Sequence, residues 1–243
     1  MAQEPFAVSG ASISGGRSGS MIRDGLFLAS AALMALTLWM VFFWVPTEAS
    51  LGVSQRIFYF HVPIAILALS SIIVVAIASI THLITRGQRS DDLAYSAAEL
   101  GAVLATLAIV TGATWAKPVW GVWWTWDPKL TLTLLLWFIY SGYLMLRAYG
   151  PKGSQGARYG AVIALMGAVN APIIYYATEL WQTAHPALLV GPAAESGSLD
   201  SDMALGLLVS TITFVVLAAY VLLERYSLRR SETDIDAIYQ YVG

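Results

Sequence analysis

The sequence predicts an all-α fold: a polytopic integral membrane protein built as a bundle of six transmembrane helices, with both termini in the cytoplasm. The 243-residue chain is 58% apolar and only 12% charged, which is about half the charged share of a soluble domain. It contains six apolar runs long enough to cross about 30 Å of hydrocarbon at 1.5 Å per residue. Each run must be helical, because backbone groups cannot go unpaired in lipid.

The first run, 26–45, follows a Gly/Ser-rich segment. It is too long for a signal-peptide core and no small-residue cleavage site follows it, so we expect it to be retained. The later runs lie at 62–83, 93–115, 130–149, 159–176 and 203–223. We therefore predict three regions, which are a flexible cytoplasmic tail at 1–22, a membrane domain at 23–225 and a cytoplasmic tail at 226–243.

The cationic residues indicate the orientation of the bundle. Six spans place both termini on one side of the membrane, and ten of the thirteen Lys and Arg residues fall on that side. An excess of Lys and Arg marks cytoplasmic segments, so both termini are predicted to be cytoplasmic. The loops between spans one and two, three and four, and five and six then face outward. The three outward cations are Arg56, Lys117 and Lys129.

Overall charge and the absence of cysteine exclude several kinds of site. The formal net charge is −2, so no basic field favours nucleic acid. The chain contains no cysteine, which excludes disulfides, thiolate metal sites and the covalent attachment of c-type haem to this chain.

The outward loop between spans three and four is rich in tryptophan. Five of the nine tryptophans lie between Trp115 and Leu130. Interfacial belts of tryptophan explain Trp115, but four further indoles within seven residues exceed what anchoring requires. A short interfacial helix would place Trp120, Trp123 and Trp124 on one face, with Trp126 pointing elsewhere. The loop is therefore predicted to be a platform for a large, flat, mostly apolar ligand.

The end of this loop also carries a helix-start signal. Asp127 before Pro128 is typical of an N-cap followed by proline at the first helical position. We interpret Asp127 as the cap of span four, with an added role in holding the loop.

Two of the three histidines lie on the same side as the tryptophan loop. His61 is at the outer mouth of span two, and His185 lies beyond the outer end of span five. Neutral imidazole is a strong axial ligand of haem iron, and two imidazoles can fill both axial positions. Alternatively, each histidine occupies a solvated helix start before a proline. His82, at the opposite end of span two, is interpreted as a solvated helix-end residue.

Other polar residues allow two interpretations each. Arg56 and Lys129 could pair with the propionates of a porphyrin, or they could contact lipid phosphate. Glu99 inside span three indicates either an internal partner or a side chain that reaches for water. Asn170 and Pro172 predict a local irregularity in span five.

These segments resemble the signatures of a known family of haem-handling membrane proteins that mature c-type cytochromes. Residues 120–131 (WGVWWTWDPKLT) resemble the tryptophan-rich "WWD" signature, and residues 56–63 (RIFYFHVP) and 179–186 (ELWQTAHP) resemble the stretches around its two external histidines. Length, six spans and outward placement match the CcmC branch (haem exporter protein C). The resemblance covers roughly residues 21–225.

The resemblance implies a function and a set of site residues. His61 and His185 would be axial ligands of haem b that is bound transiently as cargo. Trp120, Trp123, Trp124, Trp126 and Asp127 would form a shelf around the macrocycle, and Arg56 and Lys129 are candidate propionate contacts. Such proteins lie in the bacterial inner membrane and present haem on its periplasmic side to the haem chaperone CcmE. They work with the small membrane protein CcmD and the CcmA–CcmB ABC transporter.

We therefore expect a haem-presenting scaffold and not an enzyme. Three alternatives remain. A cytochrome c haem lyase of the WWD superfamily is usually larger and carries further histidines for a transmembrane haem. A b-type cytochrome would need paired histidines on facing helices inside the bilayer. A haem-translocating transporter would need a polar path, for which the spans offer only Glu99 and Asn170.

Overall fold

The computed structural model describes residues 14–151, 153–181, 185 and 199–242, and these residues form six long helices. Helix α1 (Ser14–Trp39) continues into a π-helical turn, Met40–Trp44. A 3₁₀ helix, Val53–Ile57, leads into the second long helix. The remaining long helices are α2 (Phe58–Thr85), α3 (Gln88–Trp120), α4 (Pro128–Tyr149), α5 (Gly153–Trp181) and α6 (Ser201–Val242).

All six helices are long and apolar enough to cross a membrane, which confirms the predicted six-span, all-α fold. Five of the predicted spans fall on one long helix each, and the first, 26–45, covers the later part of α1 and the π-helical turn. Most helices extend beyond the predicted bounds. Helix α1 begins at Ser14, inside the segment expected to be a tail, and α6 continues to Val242 through the second expected tail. Both terminal helices therefore continue beyond their apolar runs, α1 through Gly- and Ser-rich residues whose intrinsic helix propensity is low.

The centre of the bundle is formed by α2 and α3, which lie side by side along most of their length. Helix α2 also contacts α5 and α6, α4 packs between α3 and α5, and α1 packs on α6. Buried alanines such as Ala68, Ala98 and Ala105 allow the backbones to approach closely. The Tyr140 hydroxyl donates a hydrogen bond to the Ala68 carbonyl oxygen at 2.7 Å, which joins α4 to α2.

At the end of the bundle opposite the tryptophan loop, ion pairs connect the helices. Arg147 of α4 donates to both carboxylate oxygens of Asp91 of α3, at 2.5 and 2.7 Å. Arg225 of α6 donates to both oxygens of Glu99, at 2.7 to 2.9 Å. The internal partner expected for Glu99 is thus confirmed. Charged groups in the spans are stabilised here by pairing, as low-dielectric surroundings require.

Two smaller expectations were wrong. His82 is not a solvated helix-end residue, because it is buried and its Nδ1 lies 3.0 Å from the carbonyl oxygen of Gly87. The chain turns back at Arg86 and Gly87 and covers the imidazole. Helix α5 shows no irregularity at Pro172, and the Asn170 amide instead donates to the Leu132 carbonyl oxygen at 3.1 Å, which ties α5 to α4.

Candidate functional site

A cavity of about 210 Å³ opens at the end of the bundle that carries the tryptophan loop. Helices α2, α3 and α4 form most of its walls, and the lining is mainly apolar, with alanines at 65, 105, 108 and 113. Five of the nine predicted site residues line it, namely His61, Trp120, Trp124, Lys129 and His185. The structure therefore brings three stretches that are distant in sequence to one place.

His61 lies in the first turn of α2, and its ring packs against one face of α3. The His61 Nδ1 lies 3.0 Å from the hydroxyl oxygen of Thr111. A methyl group added at Gly112 would come within 2.9 Å of the ring carbon Cε1. The Trp115 ring lies beyond, with its centroid 6.0 Å from that of the imidazole. These three neighbours determine where the ring can be.

His185 lines the same cavity. It follows the end of α5 at Trp181 and precedes α6, while residues 182–184 and 186–198 lie outside the described part of the chain. Both predicted axial ligands therefore share one cavity at one end of the bundle. Ligation of iron by either of them stays a prediction.

The tryptophan loop is not the short interfacial helix that we considered. Helix α3 continues to Trp120 and ends at Gly121, whose φ of +76° favours glycine. The Lys117 ammonium donates to the Gly121 carbonyl oxygen at 2.8 Å, which stabilises this helix end. From there to Asp127 the backbone is irregular, so the indoles cannot share one helical face.

The four loop indoles divide into two pairs. Trp120 and Trp124 line the cavity. Trp123 and Trp126 do not, and they are 58% and 75% exposed. Trp126 packs its ring edge-on against Trp124, with the centroids 5.8 Å apart. Only part of the predicted shelf therefore faces the cavity, and the rest forms an exposed aromatic surface beside it.

Asp127 caps α4, as expected. Its Oδ1 accepts a hydrogen bond from the Leu130 backbone N–H at 3.0 Å. Its Oδ2 accepts one from the Thr125 hydroxyl at 3.1 Å. The carboxylate thus starts the helix and holds the end of the loop. It does not line the cavity.

The two candidate propionate contacts lie in different surroundings. Arg56 donates to the Phe42 carbonyl oxygen at 2.5 Å and lies over the Phe42 ring, so it ties the π-helical turn to the 3₁₀ helix that precedes α2. It does not line the cavity. Lys129 is half-buried and lines the cavity. No carboxylate within the described part of the chain forms an ion pair with its ammonium group at 4 Å or less, and Asp127 and Glu179 act on it only from a longer distance. The cation can therefore still contact an acidic group of a ligand.

Two indole donors at the cavity also lack partners. The Nε1–H groups of Trp115 and Trp124 are buried, and no acceptor lies within reach among residues 14–151, 153–181, 185 and 199–242. A buried donor without an acceptor costs about 1–3 kcal/mol, which a ligand oxygen could recover. Apolar walls, two imidazoles, the Lys129 ammonium and, among the described residues, two indole N–H groups without an acceptor suit a flat apolar ligand that carries a metal and acid groups.

Three further residues belong to this site, because Thr111, Gly112 and Trp115 contact His61. The stretch from Thr111 to Pro118 also resembles the family, but the sequence alone assigned no role to Thr111 and Gly112, and Trp115 was interpreted as an interfacial anchor. One signal was available: positions 108, 111, 112 and 115 follow the spacing of a single helical face. That face combines small residues with a hydroxyl and an indole, which is typical of a surface shaped around another group.

Comparison with known proteins gives a family match that includes the residues of the site. Residues 17–238 match the family model for Heme exporter protein C (CcmC). Heme exporter protein C of Escherichia coli K12 is 35% identical over 202 residues, which cover 82% of this chain and 80% of that protein. The Bradyrhizobium diazoefficiens protein of the same name is 37% identical over 71% of this chain and 65% of its own length.

The Haemophilus influenzae protein of that name is 32% identical over 78% of this chain and 76% of its own length. The family-model match includes His61, His185, the whole tryptophan loop and all six helices except the outermost residues of α1 and α6. The chain belongs to the Heme exporter protein C family.

Proposed function

We propose that this protein handles haem for export in the biogenesis of c-type cytochromes, by holding haem b as transient cargo and presenting it at the periplasmic face of the bacterial inner membrane. The observation that carries the proposal is the shared cavity, which His61, His185, Trp124 and Lys129 all line. The names of the family and of its relatives support haem as the cargo.

The cavity residues would hold haem by three kinds of contact. The imidazoles of His61 and His185 would ligate the iron from its two faces. Trp120 and Trp124 would cover the porphyrin, where burial of apolar area and ring stacking supply affinity. The Lys129 ammonium and the two free indole N–H groups would receive the propionates. Arg56 is a poorer candidate for a propionate contact, because its guanidinium already donates to the Phe42 carbonyl oxygen.

The size of the cavity supports presentation to another protein. Pockets that enclose small ligands usually measure about 300–1,000 Å³. At about 210 Å³ this cavity would leave part of a porphyrin outside. An uncovered edge beside Trp123 and Trp126 would be accessible to the haem chaperone CcmE, and one histidine must then yield its place on the iron. CcmD and the CcmA–CcmB ABC transporter are the other proposed partners.

The proposal is tested by the absorbance of haem in the purified protein. Replacement of both His61 and His185 by Ala should abolish the spectrum of axially ligated haem, because neither face of the iron would keep a protein ligand. Retention of an unchanged spectrum would remove the two histidines as ligands.

His82 provides the matched control. It is buried at the opposite end of α2 and is held by the Gly87 carbonyl, away from the cavity. The His82→Gln variant should therefore keep the haem spectrum of the unaltered protein. Loss of haem in this variant would show that the assay reports folding and not ligation.

A further inference from the structure

We propose that Thr111 and Gly112 are positioning residues that fix the tautomer and the location of the His61 ring, so that its Nε2 is the nitrogen offered to a ligand in the cavity. Thr111 does not line the cavity, and Gly112 lines it beside the imidazole. Both lie on the face of α3 that packs against the imidazole.

The tautomer follows from counting hydrogens at Thr111. Its hydroxyl lies 2.7 Å from the Leu107 carbonyl oxygen, one helical turn back, and 3.0 Å from His61 Nδ1. A hydroxyl has one hydrogen to donate but can also accept. When it donates to Leu107, it accepts from a protonated Nδ1, and both contacts are hydrogen bonds.

The opposite assignment makes fewer bonds. If the Thr111 hydroxyl donated to an unprotonated Nδ1, the contact to Leu107 would lose its hydrogen, and Nε2 would carry an N–H toward a mainly apolar cavity. The form with hydrogen on Nδ1 makes two hydrogen bonds at Thr111 and the other form makes one, so the first form is favoured. This form leaves the lone pair of Nε2 available.

Gly112 makes the close packing possible. The ring sits where any side chain at 112 would be, with 2.9 Å between an added methyl carbon and Cε1. Such a distance is shorter than two carbon atoms tolerate, so a larger residue would push the ring away from α3. The Thr111 hydrogen bond would then be broken together with the packing.

The consequence for haem rests on the proposed function. A histidine that donates a hydrogen bond through Nδ1 is a more basic iron ligand at Nε2. Hydrogen bonding of this kind tunes the reduction potential of the iron that the histidine binds. Loss of the Thr111 hydroxyl should weaken His61 as a donor and raise the reduction potential of bound haem.

The first experiment needs no haem. Histidine labelled with ¹⁵N in the full chain, reconstituted in nanodiscs at alkaline pH, gives separate signals for protonated and unprotonated ring nitrogens, and His61→Ala assigns those of His61. Hydrogen on Nδ1 is expected in the unaltered protein. Thr111→Val should give a mixture of tautomers and Thr111→Ser should restore the single form. Hydrogen on Nε2 in the unaltered protein would overturn the tautomer assignment without the need for any variant.

The second experiment measures haem. Gly112→Ala should lower haem affinity at least tenfold, whereas Gly142→Ala in α4, where an added methyl meets no atom within 4 Å, should leave it unchanged. Thr111→Val should raise the potential of bound haem, and Thr111→Ser should restore it. Unaltered affinity in Gly112→Ala would overturn the positioning role. An unchanged spectrum of bound haem after replacement of both His61 and His185 by Ala would instead count against the proposed function, while the haem-free spectra still decide the tautomer.

Discussion

Trp124 and Trp126 are two residues apart, yet they have different surroundings. Trp124 lines the cavity and its indole nitrogen is buried, whereas Trp126 is 75% exposed, packs against Trp124 and does not line the cavity. Buried aromatic groups contribute far more to affinity than exposed ones, because contact and desolvation scale with the area covered.

We therefore predict that Trp124→Ala lowers haem affinity by at least about tenfold, equivalent to about 1.4 kcal/mol, through loss of stacking and burial. Trp126→Ala should change it less than about threefold, and its effect should appear in transfer of haem to the chaperone. Haem titration of both variants, followed by a transfer assay, distinguishes these roles. Equal losses of affinity would contradict the division of the loop into two pairs.

At the level of single residues, the sequence predicted the Asp127 cap and the shared location of His61 and His185, but not the partner of Arg56. His61, His185 and Asp127 carry their chemistry in residue type and local order. Arg56 depends on where α1 ends, because its partner is a carbonyl oxygen freed at the π-helical turn. A contact of this kind is set by tertiary packing, which local sequence does not encode.

At the level of elements, α3 joins the two ends of the bundle. One end of it contacts His61 and forms the start of the tryptophan loop. The other end is paired to α4 through Asp91 and to α6 through Glu99. The side chains of the Asp91–Arg147 pair are 9% and 7% exposed, and those of the Glu99–Arg225 pair are 27% and 32% exposed.

Removing one partner of a buried pair leaves an uncompensated charge, so Asp91→Asn should lower the free energy of unfolding by about 3–5 kcal/mol. Denaturation in mixed micelles measures this change. The control is Glu224→Gln, which removes the exposed contact to Arg23 and should cost about 0–1 kcal/mol. Similar losses in both variants would indicate that burial of the Asp91 pair does not govern its contribution.

The cavity wall offers a second test at this level. Ala113 of α3 lines the cavity, so Ala113→Leu would place a larger side chain inside it. We expect haem binding to fall at least about tenfold, since the added volume competes with the ligand. Ala35→Leu on the exposed side of α1 is the matched control and should bind haem normally. Haem titration of the purified variants measures this change in binding. Normal binding by Ala113→Leu would show that the ligand binds elsewhere.

For the whole molecule, the six-helix fold could be predicted because apolar run length alone determines it. The ends of α1 and α6 could not, since polar residues continue both helices past their apolar runs. Nor could the shape of the tryptophan loop, where a single glycine at 121 ends α3 before the indoles can share one face.

Orientation across the membrane is the remaining prediction for the whole molecule. The excess of Lys and Arg on the side of the termini predicts that a reporter fused at Lys152 is cytoplasmic and one fused at Glu195 is periplasmic. Paired phosphatase and fluorescent-protein fusions at both positions measure this. The reverse pattern would put the tryptophan loop and the cavity on the cytoplasmic side and would exclude presentation of haem to a periplasmic chaperone.

The alanines around the cavity have one further consequence. A methyl group has no χ angle, so walls built from Ala65, Ala105, Ala108 and Ala113 cannot adapt by changing rotamer. Their outline is that of the α2 and α3 backbones, and the Asp91 and Glu99 pairs hold α3 at its far end. Any adjustment of the lining to a ligand is therefore expected at its larger side chains, such as Trp120, Trp124 and Lys129, while the alanine-lined helical wall keeps its shape.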